Sequence, residues 1–122
     1  MSSTEPRTTN EWTGAVSRPQ ESLISMTDLF GRKWCPVVLY WLLRDGPMGF
    51  SELKREIDGI SGKMLTESLD TLETRYGLVE RSVVSDRPFR VTYEPTDRGE
   101  SLDLLLNEML AWATEHMDTE GA

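Results

Sequence analysis

The chain has 122 residues, a formal net charge of −8 and a single cysteine, Cys35. That length accommodates one ordinary domain with a core of its own, and one thiol excludes an intrachain disulfide, which fits a reducing compartment. The longest apolar stretch, Val37 to Leu43, is far short of the roughly 20 residues a membrane helix needs. Met1–Pro19 lacks the apolar centre of a secretion signal, so the expected location is cytoplasmic.

The acid is unevenly distributed. Residues 1–30 carry net −2, residues 31–60 net +1, residues 61–98 net −1 and residues 99–122 net −6. The middle is near neutral, so a small basic face can be built there. Ten arginines stand against three lysines. Acid excess with few lysines suits a surface hydrated in strong salt; GC-rich codon usage on an ordinary acidic protein gives the same composition.

In chain order, residues 1–20 are rich in Ser, Thr, Glu, Pro and Arg around an isolated Trp12, and read as a flexible arm. From Glu21 the spacing turns helical, with Leu23, Met26, Leu29 and Phe30 on one face before Gly31. Lys33 to Arg44 is apolar on most sides, which predicts a central core helix containing Trp34 and Trp41. Pro36 fits its first turn, and Cys35 is expected to be a buried inert thiol. Ser51 is placed to cap a third helix with Glu52 in its first turn, and Leu53 and Ile57 form its apolar face. Asp58-Gly59 marks a turn. Ser61 then caps a helix to about Arg75 with Met64, Leu65, Leu69 and Leu72 inward, and Gly77 stops it.

Helix, short turn, helix is the outline of a helix-turn-helix. The period then changes to about two: Leu78–Val84 and Arg90–Glu94 predict strands joined by Ser85–Phe89. Asp97 and Glu100 have capping-box spacing at the start of a last helix to about Met117. Leu102, Leu105, Met109 and Trp112 make one stripe on that helix; Leu106, Leu110, Ala113 and Met117 make another. Two stripes predict packing on the chain's own domain and on a second copy. The predicted fold class is α+β, mainly α: a winged helix-turn-helix over residues 21–117, with a two-stranded wing, terminal dimerisation helices and a short tail, 118–122.

Several segments resemble one family in collinear order. Leu29-Phe30-Gly31-Arg32-Lys33-Trp34 resembles the "DLIGGKW" opening of HxlR-type winged-helix regulators. Asp45-Gly46-Pro47 with Phe50-Ser51-Glu52-Leu53-Lys54 is similar to "DGP..FSELK", and Gly59-Ile60-Ser61-Gly62-Lys63-Met64-Leu65-Thr66 to "GIS.KMLT". Gly77-Leu78-Val79-Glu80-Arg81 resembles "GLVER", Pro88 to Tyr93 "PPRVEY", and Thr96-Asp97-Arg98-Gly99 "TELG". The resemblance spans about Met26 to Met117. It implies a cytoplasmic, homodimeric transcriptional regulator on a near-palindromic operator, with the "KMLT" helix in the major groove, the wing on the flanking backbone, and response to a small-molecule effector. Half-sites of such dimers lie roughly 34–36 Å apart.

The expected DNA contacts are Ser61, Lys63, Met64 and Thr66 on the recognition helix and Arg87 and Arg90 on the wing. Lys63 can donate to guanine or phosphate, and Gly62 would allow close backbone approach. Arg81 is a weaker candidate. Glu67 can accept from cytosine or remain solvated. Leu102, Leu105, Leu106, Met109, Leu110, Trp112 and Ala113 are the expected dimer contacts, with Trp112 open between core, seam and effector-pocket wall. His116 suits a helix C-terminus.

The sequence departs from the family in three respects. It has no cysteine near Pro19–Ser22, where many members carry one that in some senses thiol oxidants. Gly62 replaces the common Gln or Arg, and Glu67 and Asp70 replace polar or basic residues. A winged helix retained for protein docking, without independent DNA binding, is the alternative function. An enzyme is not expected: one His and one Cys offer no nucleophile–base pair, and there is no metal-ligand cluster, cofactor motif or phosphate loop.

Overall fold

A computed structural model describes residues 18–117. Trp12, most of the expected N-terminal arm and the tail 118–122 lie outside the described residues. The chain divides into two units at Arg32/Lys33.

The first unit carries helix α1, Pro19–Phe30, which begins two residues before the expected Glu21. Pro19 opens it with a fixed φ where no intrahelical N–H bond is lost. An Arg18–Glu21 ion pair braces the first turn. Leu29 is buried, and Leu23 and Ile24 are exposed.

The second unit is organised around α2, Cys35–Asp45, with Pro36 in its first turn. Val38, Leu39 and Leu42 are fully buried at its centre, at positions 38/42 and 39/42 of one helical face. The helix packs against α4, α6 and the second wing strand. The two tryptophans depart from expectation. Trp34 and Trp41 are only half-buried and lie at the rim, each under a cation: Lys33 Nζ is 5.0 Å from the Trp34 ring and Arg44 Cζ 5.4 Å from Trp41. A large ring with a polar edge is well placed at such a rim, where the cation rests on its π face.

Helix α3, Phe50–Glu56, starts before the expected cap. Gly49 is the N-cap, and its N–H donates to Glu52 Oε1 at 2.8 Å. The carboxylate reaching back takes over the work of a cap side chain, and Ser51 lies inside the first turn. Helix α4 is Gly62–Asp70, and Ser61 Oγ caps it as expected, accepting from Met64 N–H at 3.0 Å. Its last turn, Thr71–Arg75, widens to π geometry, with Tyr76 N–H donating to Thr71 O at 3.2 Å. Gly77 follows at φ +65°, the left-handed stop that glycine tolerates.

The wing is an antiparallel hairpin of β1, Val79–Asp86, and β2, Phe89–Pro95. Both strands run further than expected, so the turn narrows to Arg87-Pro88, and an irregularity at Val83–Ser85 makes Val84 the extra residue. Met48, just after α2, adds a third rung: its N–H and C=O pair with Tyr93 at 3.0 and 2.8 Å.

The last helical region is broken in two, correcting the single helix expected from Asp97. Helix α5 spans Asp97–Glu100 and α6 spans Asp103–His116. Thr96, not Asp97, is the cap. Its Oγ1 accepts from Gly99 N–H at 3.1 Å and donates to Gly77 O at 2.7 Å, while its N–H donates to Leu78 O at 3.0 Å. Gly99 is buried against this junction, and a Cβ there would collide with the Leu78 carbonyl.

Candidate nucleic-acid interface

Helix α4 is held from below. Leu65, Leu69 and Leu72 are buried, and this apolar row fixes the rotation of the helix about its axis. Ser61, Lys63, Thr66, Glu67 and Asp70 are left exposed along the opposite side. An N-terminal turn with polar side chains, a capped end and a buried back is what a major-groove helix needs.

The expected contacts divide. Ser61, Lys63 and Thr66 are exposed on α4, and Arg87 and Arg90 are exposed at the wing. Arg87 occupies the turn, its N–H donating to Ser85 Oγ at 3.3 Å, and Arg90 pairs with Ser85 across the hairpin. Met64 is half-buried, which agrees with its inward spacing and leaves only part of it for a groove. Gly62 does not offer bare backbone outward. A Cβ on it would point at α3, 3.8 Å from Lys54 Cε and 4.0 Å from Phe50 Cζ.

That same geometry identifies a residue missed by sequence reasoning. Lys54 is exposed and its side chain stands beside Gly62 at the start of α4. Its only signal was its place in the segment similar to "FSELK". Thr66, Arg81 and Tyr93 share a shallow depression between α4 and the wing, so Arg81 borders the same face. Lys63 is paired: its Nζ lies 3.2 Å from Glu67 Oε2 on the next turn. Away from this face, Arg44 is held above its ordinary value, chiefly by its hydrogen bond to the Tyr40 hydroxyl at 3.3 Å, and stays cationic.

Helix α6 presents a second surface. Leu106 is buried, but Leu105, Met109, Leu110 and Trp112 are 41, 41, 46 and 59% exposed. Leu102 and Ala113 are half-buried. An open groove of about 270 Å³ runs between Pro36, Val37 and Tyr40 of α2 and Leu106, Met109, Leu110 and Ala113 of α6. Trp112, so exposed, is not part of the core, and its ring stacks obliquely on His116 with centroids 4.9 Å apart. Cys35, as expected, is buried, with Sγ 4.0 Å from Ser68 O. Among the described residues no helix is long and apolar enough to cross a membrane.

Three helices around α2, a capped helix-turn-helix and a hairpin sealed to it define a winged helix-turn-helix protein. A family model, HxlR-like helix-turn-helix, matches residues 29–121. The HTH-type transcriptional regulator YvaP of Bacillus subtilis is 36% identical over 91 residues, covering 75% of this chain and 82% of that protein. The solved structure of reduced YodB, a B. subtilis transcriptional regulator, superposes with a TM-score of 0.70 at 36% identity, covering 80% of this chain and 93% of that one. The redox regulator HypR in its oxidised form superposes with a TM-score of 0.71 at 31% identity, covering 80% and 99%. The chain belongs to the HxlR-like helix-turn-helix family and is a transcriptional regulator of the helix-turn-helix type, not an enzyme.

Proposed function

We propose that the protein works as a homodimer on a near-palindromic operator, with α4 of each copy in the major groove and each wing on the flanking backbone. One observation carries this reading. The face of α4 opposite Leu65 and Leu69 is polar and exposed at its capped N-terminal end, on the same unit as a wing whose turn carries Arg87 and Arg90. Phosphate contacts by Arg87, Arg90 and Lys54 would set position; Lys63, Thr66 and Ser61 would supply base contacts, and Met64 apolar contact with its exposed part. Ser61 has one acceptor already committed to the cap.

The surface of α6 supports the same reading. Leu105, Met109, Leu110 and Trp112 leave an apolar strip on α6 beside the α2 groove, and contiguous apolar surface of this kind favours a second copy. Leu102, Leu106 and Ala113 would line the inner edge of that seam. A small-molecule effector acting near this groove would change the spacing of the two α4 helices. Sensing through a thiol is disfavoured, because the single cysteine is buried. The site of action is the cytoplasm, where operator DNA is accessible.

Footprinting on the protein's own promoter tests the reading. The expected result is two protected half-sites about one helical turn apart, or roughly 34 Å, with protection lost for the double variant Lys63→Glu, Arg87→Glu. No protected sequence at any salt concentration would favour a docking module instead. Because few cations face the DNA, the fall of log affinity with log salt should be shallow, at about 0.9 per phosphate neutralised.

A further inference from the structure

The pairing of Lys63 with Glu67 has a consequence for what α4 reads. The two residues lie one turn apart, both side chains are exposed, and Nζ is 3.2 Å from Oε2. An ammonium bound to a carboxylate has no net attraction for phosphate. What it retains is directional: a donor and an acceptor side by side on the face of α4 that carries Thr66. A G·C base pair presents the complement of that arrangement in the major groove. Guanine O6 is an acceptor and cytosine N4 a donor, and they are hydrogen-bonded to each other, so they lie about 2.9 Å apart.

We propose that Lys63 and Glu67 act as one unit that reads a single G·C pair in each half-site, with Lys63 donating to guanine O6 and N7 and Glu67 accepting from cytosine N4. Glu67 is thereby a specificity-determining residue. A T·A pair offers the same central couple, thymine O4 and adenine N6, so the discrimination lies in the guanine N7 acceptor beside O6, which the thymine methyl replaces. Against random sequence the carboxylate repels phosphate and weakens the complex. This rests on the proposed DNA binding by α4.

Selection of bound duplexes from a randomised pool, using the wild type, Glu67→Gln and Glu67→Ala, tests the proposal. The wild type is expected to enrich a site with one G·C pair per half-site preferred about tenfold over A·T, a magnitude within that of a good side-chain pair. In Glu67→Gln that position moves toward A·T, because an amide pairs best with adenine. In Glu67→Ala the position loses its preference, affinity for random duplex rises several-fold, and the salt dependence steepens by about one phosphate equivalent. Matching thermal melting curves verify that both variants are folded. If the wild type enriches a site and both variants enrich the same site with every position unchanged, the pair is only a surface ion pair and the proposal is overturned. If the wild type enriches nothing, DNA binding by α4 falls first and the base reading falls with it.

Discussion

Helices α4 and α6 both carry rows of leucines and use them in opposite ways. In α4 and its π turn, Leu65, Leu69 and Leu72 are all buried, and apart from the exposed part of Met64 what remains outside is polar. In α6 only Leu106 is buried, and Leu105, Met109, Leu110 and Trp112 remain outside. One helix completes its hydrophobic contacts within its own chain and has a polar face free for a ligand; the other has apolar surface still to bury. Hydrophobic burial is proportional to area removed from water, so the two rows of leucines should respond differently to the same substitution.

The largest effect is expected from Leu65→Ala. Its side chain is wholly buried, and truncation should cost about 3 kcal/mol through lost transfer energy and the cavity left behind. Chemical denaturation measures this, and the loss should not depend on protein concentration. Leu110→Ala is the counterpart. At 46% exposure it should cost a single folded chain less than about 1 kcal/mol, with a concentration-dependent midpoint wherever two copies share the seam. A concentration-independent loss as large as that of Leu65 would mean that α6 is covered by its own chain.

A charge on the same strip sharpens the contrast. Leu110→Glu is expected to convert a sedimenting dimer to a monomer while far-ultraviolet circular dichroism stays unchanged, since a carboxylate in an apolar seam is costly and on a free surface costs little. Affinity for a full two-half-site operator should fall much more than affinity for a single half-site. A dimer that persists at micromolar concentration would move the seam elsewhere.

These elements were unequally legible in the sequence. The buried rows of α2, α3 and α4 follow a 3.6-residue period set by the chain locally, so the helices and the wing were readable. The caps were not all readable, because capping residues compete. Ser51 and Asp97 are good caps by type, but Glu52 serves Gly49 from inside the helix, and Thr96 gains a second bond to Gly77, 19 residues away. The break between α5 and α6 has no local period to announce it, and the close approach of Gly99 in α5 to the Leu78 carbonyl is a long-range contact. Hydrophobicity alone predicts Trp34 and Trp41 in the core, because it ignores the cations that rest on their faces. At the site, spacing singled out Lys63 but could not show whether its charge was free or matched by Glu67.

The cap of α4 is the next test in size. Ser61→Ala removes the acceptor of the Met64 N–H bond and should cost about 1 kcal/mol. Because the hydroxyl also faces outward at the start of the recognition helix, the DNA affinity of this variant separates its two roles. A loss of affinity beyond that of an equally destabilised core variant would assign Ser61 a contact of its own.

The smallest expected effect decides how α4 presents its backbone. If Gly62 mattered because a bare backbone approaches the groove, any side chain there would stand between helix and DNA, and Gly62→Ala would weaken binding. The geometry argues otherwise. The added Cβ points at α3, meeting Lys54 Cε at 3.8 Å and Phe50 Cζ at 4.0 Å, ordinary contact distances at which nothing has to move. The backbone there is helical, so alanine also removes conformational freedom from the unfolded chain. Gly62→Ala should therefore raise stability by about 0.5 kcal/mol and leave operator affinity unchanged. Measured together by thermal melting and a titration on operator DNA, a stabler protein with weakened binding would return Gly62 to the DNA-facing side. It would also mean that the rotation of α4 set by Leu65 and Leu69 changes when it enters the groove.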